Sequence, residues 1–415
     1  MGRSIWAVDY PADMAIDTKV GQVTDEELGR LRDHIETSLP SYMADLERLV
    51  NIDCGSYTKG GVDEVGRWMA DQLAELGAAV TVEANVELGD IVIGELEGAG
   101  GSRAVLIGHM DTVFPEGTAA ARPFQIREGR AYGPGVDDMK GGLLGGLYAL
   151  RAIRALHPEG TSPSDWLPFS RLTFIANPDE ELGSPASGAV IRRVADGASL
   201  ALVLESAREN GDIVSSRKGI VEFHIGIQGR AAHAGVEPEK GRSATVEAAH
   251  KVLALTALNG RWPDVTVNVG VVRGGTRPNV VAERCDLELD VRAVRNEDLE
   301  AVTAAINDIC ATTTIPDVTI TVVQSMGWPP MEKTPQITAL ADAAIEIASR
   351  LGFELHDAAT GGASDANTTS GMGVPTLDGL GPVGGADHAP GEYLEIDSIV
   401  PRTTLIAALL LGAER

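Results

Sequence analysis

The chain has 415 residues, 44% of them hydrophobic, more than one ordinary core accommodates, so two domains are predicted. With 34 basic against 60 acidic residues the net charge is −26, which opposes binding to nucleic acid or to an anionic membrane. Cys54, Cys285 and Cys310 are scattered, with no CxxC spacing; this argues against a disulfide framework or a cysteine zinc site and predicts a reducing, cytoplasmic location.

At the N-terminus MGRSIWAVDYPADMAIDT lacks the apolar stretch of a secretory leader, and Trp6 stands where a myristoylation signal needs Ser or Thr. No uninterrupted apolar run reaches the length of a membrane span. Leu28, Leu31, Ile35, Leu39, Met43, Leu46 and Leu49 recur at helical spacing, and Pro40 is expected to break this run in two. A helix over 62–76, closed by Gly77, leads into the strands VTVEA and IVIGELEG, and then into the strand that ends in GHMDTV, 108–113. The run 141–156 is apolar throughout and reads as a helix launched from the Asp137-Asp138 turn. RLTFIANP, a helix over 189–194 and the strand LALVLES follow.

Beyond about residue 216 the strands lengthen and alternate: VEFHIGIQG, VTVNVGVVRGG, CDLELDVRAV and DVTITVVQ, with helices at 243–258 and 296–313. This β-α-β-β-α-β order predicts a ferredoxin-like α+β domain at 218–328. It interrupts an α/β domain, 1–217 and 329–415, whose sheet is expected to be mixed, mainly parallel and doubly wound. The second part carries a helix at 337–351, TGGASDAN, the strand VPTLDGL, the GGADHAPGEY loop and a last helix at 401–411.

The chemistry gathers where strands stop, the place at which open α/β sheets bind ligands. GHMDTV delivers His109 and Asp111, two apart and on one side, so that one can ligate while the other takes the remaining ring N–H. GPGVDDMKGG supplies Asp137 and Asp138 among glycines that permit close backbone approach. NPDEELGS carries Glu180 and Glu181, LALVLES brings out Glu205, and His388 comes late in the chain. Singly each has a plainer reading: a packing histidine, an acidic first helical turn, a solvated loop. Their recurrence at successive strand ends outweighs those readings, because independent accidents would scatter over both ends. Histidine and carboxylates in such a set suit paired divalent metals.

The ordered set GHMDTV, GPGVDDMKGG, NPDEELGS, the Glu205 strand, GRAAHAG and His388 resembles the M20 metallopeptidase family, and within it the glutamate carboxypeptidase branch. The resemblance runs from about Glu26 to the last helix. It implies a hydrolase with two divalent ions, zinc first, with manganese or cobalt as alternatives. His109 and Glu205 would hold one ion, Glu181 and His388 the other, and Asp138 would bridge them. Glu180 would be the general acid/base and Asp111 the residue that orients His109. The Asp138–Met139 peptide is expected to be cis. The inserted domain would serve as lid and dimerisation domain of a homodimer, with His233 reaching the partner's site to stabilise an oxyanion. Asn279 and Arg292 would grip a substrate carboxylate, and TGGASDAN, with Gly361 and Gly362, would be the Gly-rich substrate loop. Expected partners are therefore a small carboxylate-bearing substrate and a second copy of the chain. The expected reaction is cleavage of an amide next to a free carboxylate, or of another C–N bond in a small carboxylated molecule. A metal-dead binding protein of the same fold is disfavoured because every expected ligand position is filled. One departure stands at HDAAT, around Asp357, where the glutamate-cleaving branch tends to carry Arg, so the resemblance does not imply a preference for glutamate.

Overall fold

The computed structural model describes residues 23–325 and 327–413. The segment on which the leader and acylation readings rest lies outside these residues. The described chain divides into two compact units, one formed by Ser216–Glu332 with Thr360–Ala363 and the other by the remainder. Among the described residues no helix is long and apolar enough to cross a membrane.

The larger unit is built on a six-stranded sheet in the order Ala79–Glu83, Ile91–Glu97, Arg171–Asn177, Arg103–His109, Leu200–Val203, Thr376–Leu377. The last four strands are mutually parallel, whereas the first two pair antiparallel, so the sheet is mixed and mainly parallel. Strands covered on both faces need no polar alternation; accordingly every residue of Arg171–Asn177 after Arg171 is buried. The helices Gly142–Ala155 and Ile399–Gly412 are apolar on nearly every side and are buried almost throughout. A Cβ on Gly142 would lie 1.8 Å from the Leu204 carbonyl oxygen, so only glycine lets that helix start this close to the sheet.

Asp25–Val50 is one helix, not two. It starts at a capping box in which Thr24 Oγ1 accepts from Glu27 N at 3.2 Å and Thr24 N donates to Glu27 at 2.9 Å. Pro40 does not break it because Glu36 and Pro40 both lie on the exposed face, where water can satisfy the carbonyl that loses its N–H partner. Leu31, Ile35, Tyr42 and Leu46 keep the buried stripe continuous past it.

In the smaller unit an antiparallel sheet runs in the order Thr266–Gly274, Arg284–Ala293, Gly219–Gln228, Thr319–Gln324. The helices Ala244–Thr256 and Asn296–Cys310 complete a ferredoxin-like sandwich. Period-two burial supplies its core, with Val221, Phe223, Ile225 and Ile227 on one strand against Leu287, Leu289 and Val291 on the next.

Candidate active site

Sheet register assembles the first ionisable groups. His109 pairs with Asn177 across parallel strands, and Ile107 pairs with Val203 on the other side. The stretches that follow these three strands, with Asp111, Glu180-Glu181 and Glu205, therefore emerge side by side at one edge. His109 Nδ1 lies 3.0 Å from the Asp111 carbonyl oxygen and 3.4 Å from its carboxylate, so this nitrogen carries the proton and Nε2 is left to face the centre. Asp111 is itself fixed: its carboxylate accepts from Ser56 Oγ at 2.7 Å and from the backbone N–H groups of Glu180 at 3.2 Å and Glu181 at 3.3 Å.

Asp138 enters on an irregular turn, Val136–Gly141, in which Asp138 and Met139 have non-helical torsions and the Asp138–Met139 peptide is cis. Its two carboxylate oxygens part company. Oδ1 is 3.0 Å from His109 Nε2, and Oδ2 is 3.1 Å from His388 Nε2. Each histidine has a second acid beside it, Glu205 at 3.6 Å from His109 and Glu181 at 3.2 Å from His388. Glu180 is 9% exposed, and its carboxylate falls in a group with His109 and Glu205 whose donor atoms lie within 4.8 Å of one another. A second such group is His109, Asp138 and Glu181.

The electrostatics favour positive charge at this centre. Burial works against a charged His109, yet Glu205, Asp111 and Asp138 outweigh it and hold the ring pKa well above its ordinary value. Hydrogen bonds to Asp138 and Glu181 push His388 up to about 10. Burial would raise Asp138, but the two histidines hold its carboxyl well below the usual range. Burial pushes Glu205 up to about 7, and burial with the Glu205 charge raises Glu180 well above normal. Imidazole nitrogens and carboxylate oxygens arranged as two clusters sharing one carboxylate fit divalent cations of the zinc, manganese or cobalt type.

His388 arrives through a device not anticipated above. A small four-stranded sheet pairs Gly384–Gly385 with Tyr393–Glu395, and Tyr393–Glu395 with Arg130–Tyr132, the strand that leads into the Asp138 turn. The His388 loop is thereby laid beside that turn, with Ala386 and His388 both in the left-handed region at φ 59° and 61°. Asp137 is wholly buried, not a solvated first-turn acid, and burial together with Asp387 and Glu392 raises its pKa well above normal. Sequence reasoning also passed over Ser56, Asp365 and Glu392. Asp365, which accepts from Asn177 at 2.8 Å and Ser184 at 2.5 Å, was hidden in the Gly-rich run; Glu392 had a signal only in its closeness to His388.

The remaining candidates lie in the smaller unit. Arg292 Nε and Nη2 bond Asp290 at 2.9 and 3.0 Å, and Nη1 donates to the Gly361 carbonyl at 2.8 Å. Three of the five guanidinium N–H groups are thus engaged. Arg217 Nη1 donates to Gly362 O at 3.2 Å on the same loop. His233 is exposed, and its Nδ1 accepts from Gly235 N at 3.1 Å, which puts the proton of a neutral ring on Nε2. The Asn279 segment is joined to it, Ala234 N donating to Asn279 O at 3.0 Å. In the larger unit Asp357 accepts from Ser215 Oγ and, at 2.5 Å, from Lys333 Nζ.

Residues 105–412 match the model of peptidase family M20/M25/M40. The chain belongs to this family. Carboxypeptidase G2 of Pseudomonas sp. strain RS-16 is 31% identical over 90% of this chain and 89% of that protein. Succinyl-diaminopimelate desuccinylase of Stenotrophomonas maltophilia strain R551-3 is 27% identical over 78% of this chain and 88% of that enzyme. Among solved structures, the aminopeptidase PepT of Bacillus cereus ATCC 10987 superposes with a TM-score of 0.75 at 23% identity, covering 91% of this chain and 99% of its own. This M20 chain is therefore an enzyme, a hydrolase of metal-dependent amide cleavage.

Proposed function

We propose that the enzyme hydrolyses an amide bond next to a free carboxylate, in a peptide or an N-acyl amino acid, with two divalent ions held by His109, Glu205, Asp138, Glu181 and His388. The reading is carried by Asp138, which turns one oxygen to each histidine at 3.0 and 3.1 Å while a further carboxylate flanks each ring. Zinc is the first choice, with manganese or cobalt as alternatives. Divalent ions there supply Lewis acidity toward a carbonyl and toward water. Glu180 takes the proton of the attacking water and returns it to the leaving nitrogen, a role suited to a carboxyl whose pKa burial has raised. Asp111 keeps His109 in one tautomer and orientation. Arg292, through its two remaining N–H groups beside the Gly361-Gly362 loop, grips the substrate carboxylate together with Asn279, which is joined to the His233 loop and reaches the site with it.

A homodimer is part of the same reading. Val246 and Leu253, on the outer side of Ala244–Thr256, are 45% and 72% exposed, and Thr266–Gly274 is an edge strand of its sheet. An open edge beside apolar side chains supports pairing with a second copy. In that pairing His233 donates its Nε2–H to the substrate carbonyl oxygen in the partner's site. The buried, unpaired Cys54, Cys285 and Cys310 support a cytoplasmic location.

Elemental analysis of protein purified without chelators is expected to give two divalent ions per chain, and chelation to abolish hydrolysis that one of zinc, manganese or cobalt restores. Protein without stoichiometric metal whose hydrolysis ignores chelators overturns the proposal. Substrate class is then read from a panel of N-acyl amino acids and dipeptides. A second reading, cleavage of another C–N bond in a small carboxylated molecule, is favoured by the acidic Asp357, bonded to Lys333, where the glutamate-cleaving branch tends to carry Arg. It gains if the panel is inert while other carboxylated amides turn over. Arg292→Met is expected to raise KM for free-carboxylate substrates roughly tenfold or more with kcat little changed. An unchanged KM removes Arg292 from the carboxylate site.

A further inference from the structure

We infer that Glu392 is a positioning residue that sets Asp138 against His388, an inference that rests on the two-ion reading above. Three backbone N–H groups of the Asp138 turn converge on its carboxylate. Gly135 N donates to Oε2 at 2.9 Å, and Asp137 N and Asp138 N donate to Oε1 at 2.9 and 3.1 Å. Glu392 is 1% exposed, so water is not at hand to replace it. The turn needs such an acceptor because of its shape: Gly135 is left-handed at φ 71°, and Asp138 and Met139 leave helical torsions. N–H groups that a helix start on the surface would leave to solvent are here inside the protein, and a carboxyl whose two oxygens both face them satisfies them together.

The same side chain reaches the other histidine through the backbone. Glu392 follows His388 by four residues, its own N–H donates to Ala389 O at 3.1 Å, and the next three residues form the strand paired with Arg130–Tyr132. One carboxylate thus ties the turn bearing Asp138 to the turn bearing His388. The two histidines differ in how far they depend on it. His109 ends a central strand paired on both sides, whereas His388 has a side chain 55% exposed on a loop held by few bonds. Loss of Glu392 is therefore felt at the Asp138–His388 side of the centre more than at His109.

Glu392→Gln tests this with little change of volume, since its single oxygen cannot serve all three N–H groups and its amide N–H₂ faces at least one of them. Metal-free protein is titrated with Co²⁺ and followed by its visible absorption. Two Co²⁺ are expected to bind the parent chain. In Glu392→Gln one of them is expected to weaken tenfold or more, with an altered absorption spectrum, while the other stays within about threefold. The thermal midpoint of the metal-free variant should lie within about 3 °C of the parent's. A purely structural role gives the reverse, a lowered metal-free midpoint with unchanged isotherm and spectrum, and overturns the inference. If Glu392→Gln does not fold, Glu392→Asp is read in the same way, because it keeps the charge but is one methylene too short to reach all three donors. Asp138→Asn separates the two claims. If it binds two Co²⁺ like the parent, the two-ion reading fails and this inference with it; if it loses Co²⁺ while folded Glu392 variants do not, this inference alone fails.

Discussion

Glu180→Gln is expected to lower kcat by roughly a hundredfold or more while leaving metal content and fold unchanged. Glu180 is buried beside His109 and Glu205, in a group whose donor atoms lie within 4.8 Å of one another, yet it bonds neither histidine, unlike Asp138. Its backbone N–H is held by Asp111 at 3.2 Å, so the amide side chain should occupy the place of the carboxylate. Glutamine offers an oxygen and an N–H₂ but cannot take a proton from water near neutral pH, so the proton-transfer step is what the substitution removes. Steady-state kinetics separate the outcomes: a fall in kcat and kcat/KM together marks an interaction made in the transition state, and a rise in KM alone marks binding. Elemental analysis of the same sample guards against simple metal loss. Turnover near the parent rate places the general base elsewhere.

How far the site was legible follows from which physical rule brings each residue in. His109, Glu181 and Glu205 were readable because they follow apolar runs in which a parallel strand has no other reason to stop, and sheet register does the rest. The inserted domain was readable because period two persists through strands as long as Gly219–Gln228 and Arg284–Ala293. The same rule fails for Gly384–Gly385 and Tyr393–Glu395, which have two and three residues, too few to display a period. Yet those strands bring His388 to Asp138. Beyond its closeness to His388, Glu392 left no signal, for a different reason: its carboxylate bonds only to backbone N–H groups, and such bonds leave no mark on the composition of the partner segment. Pro40 misled because the helix-breaking rule is about an unmet carbonyl, and whether water can meet it depends on the face the proline takes.

Mixing Glu180→Gln chains with His233→Ala chains is expected to restore hydrolysis, although either variant alone is expected to be inactive or nearly so. Loss of one oxyanion donor costs about a hundred- to a thousandfold, comparable to loss of the general base, so neither parent contributes much background. His233 suits the donor role: it is exposed, and Gly235 N–H on Nδ1 fixes the ring proton on Nε2. If His233 serves the partner's site, a heterodimer has one site that lacks both groups and one that has both, the latter with Glu180 from the His233→Ala chain and His233 from the Glu180→Gln chain. Activity per heterodimer should then approach half that of the parent dimer. If His233 serves its own chain, each heterodimer site lacks one group and mixing restores nothing. Differently tagged chains allow heterodimers to be isolated before assay, so absence of recovery in a proven heterodimer, or full activity in a strictly monomeric parent enzyme, rules out the crossed arrangement.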